Sequence, residues 1–335
     1  MNKYIKNMKY IKNLPNFLQK NKLLILLILI ITIIILLLYL IFNIYMRTRE
    51  TRVVVFDLDE TLGHFVELGV FCDIIEKYKK SKLTTMEFNN IMDLFPVFLR
   101  TDMLPILSYL KEKKKKGILN KVYIYTNNNG PKEWAEKIRH YLERKIDYKL
   151  FDKIIGAYKV DGKIMEGGRT THNKTVDDFL SITKLPRHTK ICFLDDLYHE
   201  EMDTDNVYYL KVKPYHATIP FHVMAEKYYN YNYNYNSNSN TNSSKTHDDK
   251  AAFIKFVVNN MSKYNLDISK DQKNQKNQQD QHQDEDQDED EKAVSKEIFN
   301  GLKNFLKTKP RRKTQSNKSL RNRTSRKIRE SASGK

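Results

Sequence analysis

The sequence predicts an α/β fold, a mostly parallel sheet doubly wound with helices on both faces. Three observations carry that prediction. Short apolar runs recur at Val53–Phe56, Lys121–Tyr125 and Lys190–Leu194, each suited to a strand buried on both faces. Every run stops at a polar residue: Asp57, Thr126, and the pair Asp195-Asp196. Stretches of helical periodicity separate the runs, and strands alternating with helices imply βαβ units.

Before the first strand, residues 1–22 carry six lysines and no acid. From Leu23 to Phe42 the chain is apolar and uncharged, broken only by Thr32 and Tyr39. Twenty helical residues span about 30 Å, the depth of a bilayer core, so residues 23–45 are expected to form a single-pass transmembrane helix. A signal-peptide core is usually shorter and ends at small residues, whereas Arg47, Arg49 and Arg52 follow here. The six lysines lean the N-terminus toward the cytoplasm. The two cysteines, Cys72 and Cys192, make no disulfide framework and favour a reducing compartment for the domain, so the topology stays open.

Residues 51–229 read as the folded domain. Pro131 suits a first helical position, and Trp134, Ile138, Tyr141 and Leu142 share a face behind it. Val176, Phe179 and Leu180 repeat the spacing, and Val207–Val212 is a fourth apolar run. Residues 230–292 read as a low-complexity linker. YNYNYNSNSNTNSS suggests a disordered tether, and a short helix at 251–268 is expected to dock back on the domain. The Gln/Asp/Glu tract ending at Glu291 is expected to be solvated. In residues 293–335, Ile298, Leu302, Phe305 and Leu306 fall on one helical face, followed by a basic, disordered tail with Arg311-Arg312-Lys313 and Arg321-Asn322-Arg323. The formal net charge is +18. With an anchor already in the chain, this amphipathic stretch and tail are expected to meet anionic lipid, with nucleic acid as the rival partner.

Ligands in open α/β sheets bind beyond the carboxyl ends of the strands, where these runs deliver Asp57, Asp59, Thr126, Asp195 and Asp196. Converging carboxylates repel one another, and burial raises their pKa values unless a cation sits among them. All-oxygen donors of this kind suit Mg²⁺.

The stretch Asp57-Leu58-Asp59-Glu60-Thr61-Leu62 resembles the DxDxT signature of the haloacid dehalogenase superfamily, in the form seen in small CTD phosphatases and NLI-interacting-factor-like phosphatases. Thr126, Lys174 at a helix start, and Asp195-Asp196 follow in the family's order, so the similarity covers roughly residues 51–225. An N-terminal membrane segment before the domain resembles the Dullard-type members. The resemblance implies a haloacid dehalogenase-like, Rossmann-like domain and a phosphatase that hydrolyses phosphoserine or phosphothreonine on a protein. It assigns Asp57 as nucleophile, Asp59 as general acid and base, and Thr126, Asn127 and Lys174 as phosphate-binding residues. Mg²⁺ would be held by the Asp57 carboxylate, the Asp59 backbone carbonyl and Asp196, with Asp195 in support. Thr61 is expected to steady the loop, and His199 is the histidine nearest the motif Asp196 in sequence.

The chain departs from the family at several points. Arg100 alone remains of an Arg-Pro-Gly, Asn127-Asn128 replaces Ala-Ser, and no Ser-Pro follows Asp196. About 64 residues separate Thr61 from Thr126, room for a modest hairpin or small insert around residues 64–95 rather than a large lid. A binding module similar to the mitochondrial presequence-translocase receptor shares the layout of basic segment, span and domain, but keeping both Asp57 and Asp59 disfavours it. A nucleic-acid 3′-phosphatase, suggested by the basic tail, more often has Gly where Glu60 stands.

Overall fold

The computed structural model describes residues 21–48, 50–237, 247–264 and 282–307. The chain divides into two compact units, Met1–Glu50 and Thr51–Lys335. In the first, helix α1 (Lys22–Thr48) contains the window Lys22–Ile41, with mean hydropathy 3.6 and none of its described side chains buried. Thr32 donates its hydroxyl to the Leu29 carbonyl at 2.8 Å, which satisfies the polar atom within the helix itself. The helix is long and apolar enough to cross a membrane, a property it shares with signal sequences. The basic segment before it, residues 1–20, lies outside the described residues.

The second unit is built on a five-stranded parallel sheet. Its strands are β1 (Arg52–Phe56), β2 (Lys121–Tyr125), β3 (Lys153–Ile155), β6 (Lys190–Asp195) and β7 (Val207–Lys211), in the order β3-β2-β1-β6-β7. A two-stranded hairpin, β4 (Lys159–Val160) and β5 (Lys163–Ile164), stands apart from this sheet. Central β1 pairs Val55 with Tyr123 on one side and with Phe193 on the other. Alternate side chains serve opposite faces. Val54, Phe56, Ile124, Cys192 and Leu194 join the larger core, while Val53, Val55, Tyr125, Ile191 and Phe193 join a smaller one with Phe179. Burial of both faces is why the runs are continuously apolar rather than alternating.

Helices α2 (Val66–Lys79), α3 (Thr85–Leu94), α4 (Met103–Lys115) and α5 (Lys132–Lys145) feed the larger core, and α6 (Val176–Thr183) covers the other face. The insert around 64–95 is therefore two helices rather than a hairpin. Leu68, Phe71, Cys72 and Ile75 recur at helical spacing on α2, and α3 begins with a Thr84/Glu87 capping box. Both helices pack into the domain core.

The C-terminal part differs most from expectation. Helix α7 (Phe221–Ser237) runs into the Tyr/Asn repeat, anchored by buried Met224, Ala225 and Tyr228; residues 238–246 lie outside the described residues. Helix α8 (His247–Met261) docks as anticipated, with Phe253 4.8 Å from the Tyr78 ring centroid and Val257 and Met261 buried. From His282 onward the acidic tract is the first half of one helix, α9 (His282–Lys307), and residues 265–281 lie outside the described residues. Asp290 is exposed, as expected, but Glu291 accepts a hydrogen bond from Arg100 at 3.2 Å. Ile298, Leu302, Phe305 and Leu306 are buried in the domain core, which corrects their reading as a lipid-binding face. The close fit depends on Gly301, where a Cβ would stand 2.7 Å from the Leu210 side chain. Each such burial is worth about 1.5–3 kcal/mol to the domain. The tail from Thr308 lies outside the described residues.

Candidate functional site

The parallel register brings the strand ends together. Phe56 lies opposite Ile124 and Leu194, so Asp57 emerges beside Tyr125 and Asp195, with Thr126 one residue further along β2. The ladder continues past the strands: Asp57 N–H donates to Leu194 O at 2.8 Å, and Thr126 N–H donates to Ile155 O at 2.9 Å.

Beyond β1 the chain makes a tight loop. Glu60 adopts a left-handed φ of 58°, and its N–H donates to Gly63 O at 2.7 Å. Gly63 is required there, since a Cβ would stand 2.3 Å from the Phe98 carbonyl oxygen. Buried Arg100 fixes the loop from below: Nε donates to Thr61 O at 2.8 Å, and Nη2 donates to Glu60 O and Lys213 O at 2.7 Å each. Thr61, fully buried, exchanges two hydrogen bonds with Asp196, donating to Oδ1 and accepting from the backbone N–H, both at 3.1 Å. It steadies the loop, as the sequence suggested.

Lys174 sits at the centre. It is 2% exposed and bridges Asp57 Oδ1 at 2.5 Å and Asp195 Oδ2 at 2.6 Å. It lies just before the N-cap of α6, where Thr175 accepts from Asp178 N–H. Ligand oxygens of Asp57, Asp195 and Asp196 all lie within 4.8 Å of one another. Burial pushes Asp57 up to about 7, opposed by Lys174 and assisted by Asp195. Burial also raises Asp59 and Asp196; for Asp196 the Asp195 charge adds to it. Asp195 moves the other way: burial would raise it, but the adjacent His199 ring and Lys174 ammonium outweigh that. His199 Nε2 lies 3.4 Å from Asp195 Oδ2, so its neighbour is Asp195 rather than Asp196.

The donor set suits a hard dication. Asp57, Asp195 and Asp196 converge with a single ammonium that contacts two of them, and nearby Asp59 Oδ1 is buried without a hydrogen-bond partner among the described residues. The Asp57, Asp195 and Asp196 triad could bind a metal ion.

On the β2 side, Thr126 Oγ1 accepts from Asn128 N–H at 3.0 Å, which leaves the hydroxyl proton free to donate. Two of the three asparagines divide the work. Asn128 Nδ2 donates to Asp59 Oδ2 at 2.6 Å, whereas Asn127 Oδ1 accepts from Arg169 Nη1 at 2.7 Å. Asn128 is thus the amide beside the carboxylates, and Asn127 faces the arginine. Arg169, buried and unremarked in the sequence, also donates to the carbonyls of Gly156, His172 and Asn173. It locks the Thr126 loop to the segment that carries Lys174. Lys159 and Lys163 lie on the hairpin, not in the acidic cluster. An open cleft runs from Thr126 and Asn128 past Gly156 to Val160 and Met165.

Comparison with protein-family models, curated proteins and solved structures gave no match, so the functional reading rests on the site itself.

Proposed function

We propose that the chain is a Mg²⁺-dependent phosphatase that hydrolyses phosphoserine or phosphothreonine on proteins through an aspartyl-phosphate on Asp57. The observation that carries the reading is the buried Lys174 bridge between Asp57 and Asp195, with Asp59 and Asp196 alongside. Asp57, Asp196 and Asp195, with the Asp59 backbone carbonyl, would hold Mg²⁺, which when bound supplies charge neutralisation for the carboxylates and the phosphate.

Asp57 uses the carboxylate oxygen left free by Lys174 to attack phosphorus, and the serine or threonine oxygen departs. Burial raises the Asp59 carboxyl, which suits it to carry the proton that the departing oxygen takes. Asp59 then removes a proton from water, whose oxygen attacks the same phosphorus and frees Asp57 and inorganic phosphate. Lys174, Thr126 and the loop clamped by Arg169 hold the phosphoryl group in place while its charge redistributes.

A protein substrate is favoured because α2 and α3, the segment where a lid would be inserted, pack into the core. The cleft beside Thr126 is bordered by a hairpin with exposed Ile164 and Met165, an apolar landing for polypeptide. On this reading α1 anchors the enzyme in a membrane, and buried, unpaired Cys72 and Cys192 suit a domain facing a reducing compartment.

The test is phosphate release from phosphoserine and phosphothreonine peptides by the full-length chain in detergent. Release should need Mg²⁺, stop in EDTA and be lost in Asp57→Asn. Release that persists in EDTA or in Asp57→Asn refutes the assignment.

A further inference from the structure

We propose that Glu60, His64 and His216 form a second metal site, one for a transition-metal dication such as Zn²⁺, distinct from the acidic cluster. Their ligand atoms all lie within 4.8 Å of one another. Two imidazoles and a carboxylate match Zn²⁺ or Co²⁺ chemistry, whereas Mg²⁺ and Ca²⁺ prefer oxygen alone.

The arrangement is built rather than incidental. His64 Nδ1 is engaged by the Ala217 backbone, 2.7 Å from the carbonyl oxygen and 3.0 Å from the nitrogen. The proposal takes the tautomer with the proton on Nδ1, donating to the carbonyl, which leaves the Nε2 lone pair for a metal. A backbone acceptor behind a ligating imidazole is the usual way such a ring is oriented. The His64 and His216 rings meet edge to face with centroids 5.6 Å apart. Among the described residues, none hydrogen-bonds to the Glu60 carboxylate, to His64 Nε2 or to the His216 ring.

The backbone holds each donor in place. Glu60 keeps a left-handed φ of 58°, a conformation uncommon for a residue with a side chain, and its carbonyl accepts from Arg100 and from Tyr215 N–H at 2.8 Å. His216 lies between Tyr215 and Ala217, whose backbones are tied to Glu60 and His64. A metal here would staple the strap around residues 213–219 to the loop that carries Asp57, Asp59 and Thr61. Exposed His216 leaves the outer side of the ion to water, giving three protein ligands and an open position. The proposal stands independently of the phosphatase reading.

Co²⁺ serves as the probe. The full-length chain, stripped with chelator and supplied with excess Mg²⁺ to fill the acidic cluster, is titrated with Co²⁺ while its visible absorption is followed. One equivalent should produce a band that Zn²⁺ bleaches. His216→Ala and His64→Ala should each weaken binding by at least about tenfold, since losing even an outer partner of a metal costs that much. Asp196→Asn should retain the band. Because His216 is exposed, His216→Ala should melt like the parent without metal, which separates ligand loss from unfolding. Zn²⁺ should raise the melting temperature of the parent and leave that of His216→Ala unmoved. Three results would overturn the proposal: no band, a band that survives His216→Ala, or a band lost in Asp196→Asn.

Discussion

Lys174→Met is the substitution whose consequences the structure specifies most fully. Methionine keeps the length and volume of the side chain but removes the only ammonium that contacts Asp57 and Asp195 among the described residues. Lys174 is 2% exposed, and Asp195 is 1% exposed, so the stranded carboxylates cannot turn to water. Removing one partner from a buried ion pair costs about 3–5 kcal/mol, a large share of the roughly 5–15 kcal/mol that holds a typical domain together. For a unit of this size that is a fall in melting temperature on the order of 10 °C.

The loss should depend on pH. Lys174 lowers the Asp57 pKa, so removing it pushes that carboxyl above its present value of about 7. A carboxyl raised in the folded state destabilises at high pH, and the penalty fades as pH falls through the folded value and the proton goes on. Thermal melts in EDTA at pH 8 and pH 6 read both effects, and Asp57→Asn added to Lys174→Met should restore part of the loss. A Lys174→Met protein that melts within a degree or two of the parent at pH 8 would refute the reasoning.

The other predictions rest on separate parts of the structure. Asp59→Asn should lower kcat on phosphoserine peptide by about 10²–10⁴-fold but cost much less on p-nitrophenyl phosphate, whose leaving group needs no proton; equal losses on both would remove Asp59 from that role. Glu67, buried and held by Ile219 N–H at 3.2 Å, is pushed by burial to about 7. Stability should therefore rise as pH falls from above 7 toward the ordinary value of 4.5, and Glu67→Gln should flatten that slope in urea titrations. Phe305→Ala should destabilise the domain by about 3–5 kcal/mol in the same titrations, and a neutral result would mean α9 does not pack as described.

The sheet and most of the acidic cluster were legible because burial on both faces leaves a continuous apolar run, and its end is where a functional residue must stand. Other features carried no such signal. Arg100 works through the carbonyls of Thr61, Glu60 and Lys213, and backbone acceptors have no signature in a sequence. Asn127, Asn128 and Asn129 are interchangeable by composition, and only the turn that sends Asn128 N–H to Thr126 Oγ1 decides which amide reaches Asp59. Arg169 sits in a polar stretch without periodicity. Glu291 is one acid at the end of an acidic tract, and its pairing with Arg100 depends on a fold contact across 191 residues. In α7 the Tyr/Asn repeat has no apolar spacing of its own; it continues a helix that Met224, Ala225 and Tyr228 dock just before it.

The central claim is that Asp57 becomes phosphorylated during turnover. The most direct measurement is an acid quench of the full-length chain with Mg²⁺ and a phosphoserine peptide in the first turnover, followed by peptide mass mapping. The account predicts one added phosphoryl group on the peptide containing Asp57, released by hydroxylamine, and absent in Asp57→Asn. A phosphoryl group found on His199 or another residue, or turnover with no phosphorylated protein at any quench time, would contradict it.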